Sequence, residues 1–175
     1  YNKNNLYNEY CLNNIIGCQI FNNKNSNKNI AFIGDSHTQI LYPIVEKLQS
    51  TASTIHYSTA GTYHQTYPKI FYKTKTGLSI KEIKKKSLEI DMVEQYVLSK
   101  FNMGDKVLIG NSLPRYFSRE YNQDFVFFDK SNKTIPYDVA FSNWIERVDA
   151  LAKSLNKKNI SLFLIKPLPR FPGTY

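Results

Sequence analysis

Short apolar runs alternate along this chain with longer segments whose apolar residues recur at helical spacing. The runs predict buried strands at residues 30–33, 54–59, 106–110 and 159–165. Helical periodicity, with an apolar face that repeats about every three to four residues, predicts helices at about residues 40–48, 78–101 and 141–155. Strands that alternate with helices indicate an α/β fold, in which a mainly parallel sheet lies between helical layers.

Three further stretches do not follow this alternation. Residues 1–29 contain eleven asparagines and few apolar residues, so we expect an irregular lead-in that packs against a domain at 30–175. Residues 112–137 are rich in aromatic side chains and predict a hairpin or loop around Asp129 to Lys133, which we interpret as a lid or substrate wall. After the last predicted strand, regular structure is excluded by Pro167, Pro169 and Pro172.

The turn Gly34-Asp35-Ser36-His37 joins the first predicted strand to the first helix. Open α/β sheets bind their ligands at the carboxyl ends of strands. A serine hydroxyl close to a helix N-terminus also lies where developing negative charge is favoured. Ser36 is therefore placed like a nucleophile. The alternative is that Asp35 or Ser36 only caps the helix, a common role for both residue types.

Two other strands end in candidate residues. Gly61 follows the second strand, where a glycine lets a backbone N–H approach a ligand closely. Asn111 follows Gly110 at the end of the third strand and is expected beside the first turn. Each also has an ordinary interpretation, because glycine and asparagine are typical turn residues.

The turn and its strand-helix context resemble the first block of the SGNH (GDSL-like) hydrolases and acyltransferases. The chain is most similar to the extracytoplasmic SGNH domains of membrane O-acyltransferases that modify bacterial surface polysaccharides. The resemblance implies a three-layer, flavodoxin-like αβα fold with a mainly parallel sheet. It also implies an acyl-ester or glycan substrate, an extracytoplasmic location and an attached upstream membrane acyltransferase domain.

The same resemblance assigns roles to individual residues. Ser36, in a block that also contains Asp35 and His37, would be the catalytic nucleophile. The backbone N–H groups of Ser36 and Gly61 and the side-chain amide of Asn111 would form the oxyanion hole. The usual Asp of the third block is replaced here by Ser112, which departs from the family pattern.

A base for the serine is missing from the sequence. In the family it comes from a D-x-x-H motif, but neither His37, His56 nor His64 has an Asp three residues before it. We expect the natural reading frame to continue beyond Tyr175 and to contain this motif. The second hypothesis is a catalytically inactive module that keeps the fold and binds glycan.

Composition and charge narrow the number of domains and the kinds of partner and cofactor to expect. The length of 175 residues fits one domain, and the net charge of +9 raises the question of an anionic partner. The positive charge is spread out, with one tight cluster at Lys84-Lys85-Lys86, so a nucleic-acid partner is not predicted. Nucleotide-binding glycine motifs and zinc-ligand spacings are absent from the sequence, so no cofactor or metal is predicted.

The cysteines and the chain start bear on location. Cys11 and Cys18 could form a small disulfide in an oxidising compartment or remain free thiols in a reducing one; similarity to the extracytoplasmic SGNH domains favours the disulfide. The sequence contains no apolar run long enough to span a membrane. Because residue 1 is not Met, we expect the chain to begin inside a longer product.

Overall fold

The structure is a computed structural model that describes residues 9–10, 18–58, 71–74, 80–111, 125–129, 131 and 133–165. Its strands, in chain order, are β1 (Glu9–Tyr10), β2 (Cys18–Phe21), β3 (Asn29–Gly34), β4 (Ser53–Ser58), β5 (Phe71–Thr74), β6 (Lys106–Gly110), β7 (Phe125–Phe128), β8 (Thr134–Ile135) and β9 (Ser161–Ile165). Its helices are a 3₁₀ helix (Ser36–Leu41) that leads into α1 (Tyr42–Leu48), then α2 (Ile80–Lys100) and α3 (Tyr137–Asn156).

The main sheet has six strands in the order β1-β2-β4-β3-β6-β9. The four strands β4, β3, β6 and β9 are parallel, while β2 and β1 extend the sheet in antiparallel pairing. The fold is therefore α/β with a mixed, mostly parallel sheet, as the alternation of strands and helices predicts. The chain passes from β3 to β4 on one side and later to β6 on the other side, so the strand order reverses at β3.

Helices cover both faces of this sheet. Side chains alternate across a strand, and one face of β3, β4 and β6 packs with α2 and the second half of α3 in a single core. The buried members from the strands and helices include Ile33, Tyr57, Ile109, Val93 and Leu155. The opposite face carries Phe32 and His56, and there the 3₁₀ helix and α1 pack on the sheet.

The expected irregular lead-in is wrong for residues 18–21. This segment is strand β2, which pairs with β4 and buries Cys18 and Ile20 in the main core. The alternation of buried Cys18 and Ile20 with partly exposed Gln19 and Phe21 has the two-residue period of a strand. Four residues beside a run of asparagines give too short a signal to identify from the sequence.

The hairpin predicted around Asp129 to Lys133 is confirmed. Strands β7 and β8 pair antiparallel, and the turn is closed by Asp129, whose side chain accepts the N–H groups of Ser131 and Lys133. Strand β5, which the sequence did not predict, pairs with β7 to complete a second sheet of three strands. A small separate core of Phe127, Ala140 and Trp144 connects this sheet to α3.

The two long helices bury only some of their apolar residues. In α2 and directly after it, Val93, Val97 and Phe101 are buried, but Leu88 is 63% exposed. In α3, Trp144, Leu151 and Leu155 are buried, whereas Phe141 and Ile145 are 38% and 47% exposed. Both helices pack along a narrower stripe than their apolar residues would allow. None of the described helices is apolar and long enough to cross a lipid bilayer.

Strands β3 and β6 approach each other most closely where both end in glycine. Gly34 pairs with Gly110, and a β-carbon at Gly34 would lie 1.9 Å from the Gly110 carbonyl oxygen. The methyl group of Thr38 occupies the space beside both glycines, at 2.8 Å and 3.0 Å from the positions of their β-carbons. A side chain at Gly34 would therefore collide with the backbone of β6, while one at Gly110 would press on the Thr38 side chain.

We therefore predict that Gly34→Ala is strongly destabilising, because its methyl group must displace backbone atoms of β6. The expected loss is about 3 kcal/mol or more in the free energy of unfolding, measured by urea denaturation. Gly110→Ala is the matched comparison and should cost less, since its new methyl group would lie 3.0 Å from the Thr38 methyl group and at an ordinary contact distance of 3.8 Å from Ile165 Cδ1 and the Thr38 Cα. Equal losses for the two variants would contradict this account of the close approach.

Candidate active site

The candidate site lies at the carboxyl ends of β4, β3 and β6. Gly34, the last residue of β3, pairs with Ser58 at the end of β4 and with Gly110 at the end of β6. Because strand order reverses at β3, a crevice is expected beside this strand end, and open α/β sheets bind ligands at such a point. The turn at Asp35 and Ser36 thus occupies the position that the sheet topology favours for a ligand.

The backbone of Asp35 holds this turn in place. Its N–H donates to the Gly110 carbonyl oxygen at 3.2 Å, which ties the turn to β6. Its own carbonyl oxygen accepts three hydrogen bonds, from the Thr38 N–H at 3.0 Å, the Thr38 hydroxyl at 2.8 Å and the Ser58 hydroxyl at 3.0 Å. The turn is therefore bonded to both strands that flank β3.

Thr38 connects the 3₁₀ helix to the sheet. Its side chain is fully buried, with the hydroxyl on Asp35 and the methyl group against the two glycines. Its carbonyl oxygen lies 3.2 Å from Nε2 of His56, a buried side chain on β4. Since a carbonyl oxygen can only accept, Nε2 carries the proton, and His56 is held as that tautomer.

His56 is enclosed by uncharged groups. The Tyr42 ring on α1 lies 4.5 Å from the imidazole, measured between ring centroids, and its hydroxyl donates to the Gln19 side chain at 2.9 Å. Burial lowers the pKa of His56 below its usual value, and the bond to the Thr38 carbonyl opposes this shift only in part. Burial also raises the pKa of Tyr42, so both groups are neutral at pH 7.

The structure places the predicted catalytic residues as follows. Ser36 is the first residue of the 3₁₀ helix and His37 the second, and the described part of the chain does not include their side chains. Asp35 is buried, and Asn111 is buried directly after Gly110, so the ends of β3 and β6 bring these positions to one edge. Gly61 lies outside the described residues, three positions after the end of β4.

The helix-capping alternative is wrong for the α-helix. Helix α1 begins at Tyr42, its N-cap residue is Leu41, and no side chain makes a capping hydrogen bond there. The 3₁₀ helix comes directly before α1, and Pro43 lies in the first turn of α1, where its missing N–H has little cost. Asp35 precedes this 3₁₀ helix and Ser36 is its first residue, so neither is in position to cap α1.

Three residues that position the turn were not identified as such from the sequence, namely Thr38, His56 and Ser58. The alternation in β4 was the available signal, because Thr54, His56 and Ser58 share one strand face and are all buried. A strand face made only of polar residues and still buried must hydrogen bond to something packed upon it. The partner here is the turn itself.

The other candidate sites give less. Cys18 is disulfide-bonded, while Cys11, the other cysteine of the chain, and His64 lie outside the described residues. Within the described ranges, the acidic, histidine and cysteine side chains form no group of three that could hold a metal ion.

Comparisons of the chain with protein-family models, characterised proteins and solved structures give no match.

Thr38→Val tests the role of the buried hydroxyl. The variant keeps the methyl group on the glycines but loses the donor to Asp35, so we expect a loss of about 1–2 kcal/mol in the free energy of unfolding. Thr51→Val is the matched control, because the Thr51 hydroxyl also donates to a carbonyl three residues earlier, that of Leu48, but at an exposed position. Urea denaturation should show a near-zero effect for the control, and similar losses for both variants would argue against the buried bond.

Proposed function

We propose that this chain is a serine esterase or O-acyltransferase domain of the SGNH type, acting on O-acyl groups, acetyl in the first instance, of a cell-surface polysaccharide. The observation that carries the proposal is the position of the Gly34-Asp35-Ser36 turn at the strand-order reversal, bonded to the ends of β4 and β6. A nucleophile needs a fixed backbone, and this turn is fixed from both sides.

The sheet order supports the finer fold assignment. Across the sheet, the four parallel strands lie in the order β4-β3-β6-β9. If they are numbered one to four along the chain, this spatial order is 2-1-3-4. The five-stranded sheets of flavodoxin-like folds, with the order 2-1-3-4-5, share these first four positions, and their ligand lies between the first and third parallel strands. Those strands are β3 and β6, which end in the Ser36 turn and in Asn111 respectively.

The reaction assigns one role to each group. The Ser36 Oγ forms a bond with the ester carbonyl carbon, the bond from that carbon to the leaving alcohol oxygen breaks, and a base moves the serine proton to that oxygen. The Ser36 and Gly61 N–H groups and the Asn111 amide would donate to the carbonyl oxygen as it gains negative charge. Water or a glycan hydroxyl then takes the acyl group from the serine.

The base is the part of this machinery that His56 does not provide. Its Nε2–H is bonded to Thr38, its Nδ1 is buried without a hydrogen-bond partner among the described residues, and its lowered pKa reflects burial. The proposed reaction therefore needs its base from a group other than His56. This observation also favours the second candidate function, an SGNH-type module that binds glycan without turning it over.

The compartment and partners follow from the same proposal. An acyltransferase for surface polysaccharide works outside the cytoplasm, beside the membrane domain that delivers the acyl group. The disulfide at Cys18 is in keeping with an oxidising compartment.

Ser36→Ala in the complete natural protein should lower the turnover of an aryl acetate by a factor on the order of 10³ or more, because the acyl acceptor is lost. Ser50→Ala is the control, since Ser50 is exposed and lies between the end of α1 and the start of β4, away from the carboxyl ends of the strands. Steady-state kinetics of the two variants give the comparison. Undiminished turnover by Ser36→Ala would exclude the nucleophile assignment, and an inactive wild-type protein that still binds glycan would favour the second function.

Asn111→Ala should lower kcat by about 10² to 10³ with little change in KM, because an oxyanion donor acts in the transition state rather than on bound substrate. Measuring kcat and KM separately distinguishes this role from substrate binding. Circular dichroism and urea denaturation must show that the variant is folded, since Asn111 is buried. A change confined to KM would remove Asn111 from the oxyanion hole.

A further inference from the structure

A polar cluster around the buried His56 lies against the 3₁₀ helix that begins at Ser36 and has no part in the proposed reaction. It consists of Gln19 on β2, His56 on β4, Tyr42 on α1 and the carbonyl group of Thr38 in the 3₁₀ helix. His56 lies at its centre, because Gln19 and Phe32 are its paired neighbours on β2 and β3. The imidazole is therefore surrounded by the sheet on two sides and by the helical segment above.

Within the part of the chain that the structure describes, the imidazole makes one hydrogen bond. Nε2 donates to Thr38, whereas Nδ1 is buried and has no partner among these residues. In the neutral tautomer, Nδ1 is only an acceptor whose lone pair is left unused. In the imidazolium form, it would be a buried N–H donor with a positive charge and no acceptor, which is far more costly.

The described groups that face His56 carry no compensating charge. They are the Tyr42 ring, which stays neutral because burial raises its pKa, the Gln19 amide, the Phe32 ring and the Thr38 carbonyl. Burial lowers the pKa of His56, and the bond to the Thr38 carbonyl opposes that shift in part. The site accepts the neutral imidazole and disfavours the charged one.

The Thr38 carbonyl is two residues from Ser36, and the Thr38 N–H and hydroxyl both bond to Asp35, the residue before Ser36. We propose that His56 is a positioning residue: as a neutral Nε2–H donor it holds the 3₁₀ helix against β4, and its protonation releases the turn that carries Ser36. The catalytic consequence rests on the proposed function, but the structural effect on the turn does not.

The sign of the pH effect follows from the lowered pKa. Below the ordinary histidine pKa of about 6.5 the opened turn takes up a proton at His56 while the closed turn does not, so opening becomes easier as the pH falls. One proton can change the opening equilibrium by at most about tenfold per pH unit. Above this range the effect vanishes, because His56 is neutral in both states.

Hydrogen exchange of the complete natural protein tests the proposal without using activity. The reporters are the N–H groups of Asp35 and Thr38, which donate to Gly110 and Asp35, and the reference is the second half of α3. His56→Gln keeps a side-chain N–H donor but does not titrate, and His56→Leu removes the donor at similar volume. Protection factors are corrected for the intrinsic pH dependence of exchange and compared from pH 8 to pH 5.

For the wild type we expect protection at the turn to fall by up to about tenfold per pH unit below pH 6.5 while the reference holds. His56→Gln should show a turn that is protected and insensitive to pH, and His56→Leu a turn that is exposed to exchange at every pH. A His56 pKa of 6.5 or above by NMR, a pH effect that persists in His56→Gln, or equal losses at turn and reference would each overturn the proposal. Loss of aryl acetate turnover in all forms would refute the esterase assignment and leave this result unaffected.

Discussion

The structure depends on how the Thr38 side chain packs against Gly34 and Gly110, the glycines that end β3 and β6. The Thr38 methyl group lies beside Gly34 and Gly110, while the Thr38 hydroxyl and N–H both bond to Asp35. Because a β-carbon at Gly34 would collide with the Gly110 backbone, the two strand ends can lie this close only with a glycine at position 34. The path of the chain through Ser36 follows from this packing.

Hydrogen bonds from β4 then hold Thr38 and the turn from the other side of β3. Ser58 donates to the Asp35 carbonyl and His56 to the Thr38 carbonyl, so β4 holds the turn at both of its ends. A backbone bonded in this way loses little further entropy when a substrate binds, which is what an oxyanion site requires of its donors. The bond to Thr38 and the burial of His56 also keep its imidazole from acting as the base of the proposed reaction.

The sequence predicted those features of the fold that depend on residues close together along the chain. The four parallel strands and three long helical segments appear as apolar runs and periodic stripes, and Gly34-Asp35-Ser36 is a turn because a buried strand and a helix flank it. Strand β5 was not predicted, because it is a short strand that pairs with β7. In this pairing Phe71 lies opposite Phe128, which is distant along the chain. The roles of Thr38 and His56 were not predicted either, because both depend on which strand lies next to β3. The order of strands in a sheet cannot be deduced from any single segment of the sequence.

If Ser36 is the nucleophile, it carries an acyl group during turnover, and this intermediate can be trapped. The complete natural protein would be mixed with an aryl acetate, quenched in acid within the first turnover and digested for mass spectrometry. We expect the added mass of one acetyl group on the peptide containing Ser36. An acetyl group found only on another residue, or a protein that releases the aryl alcohol without ever carrying the acetyl group, would contradict it.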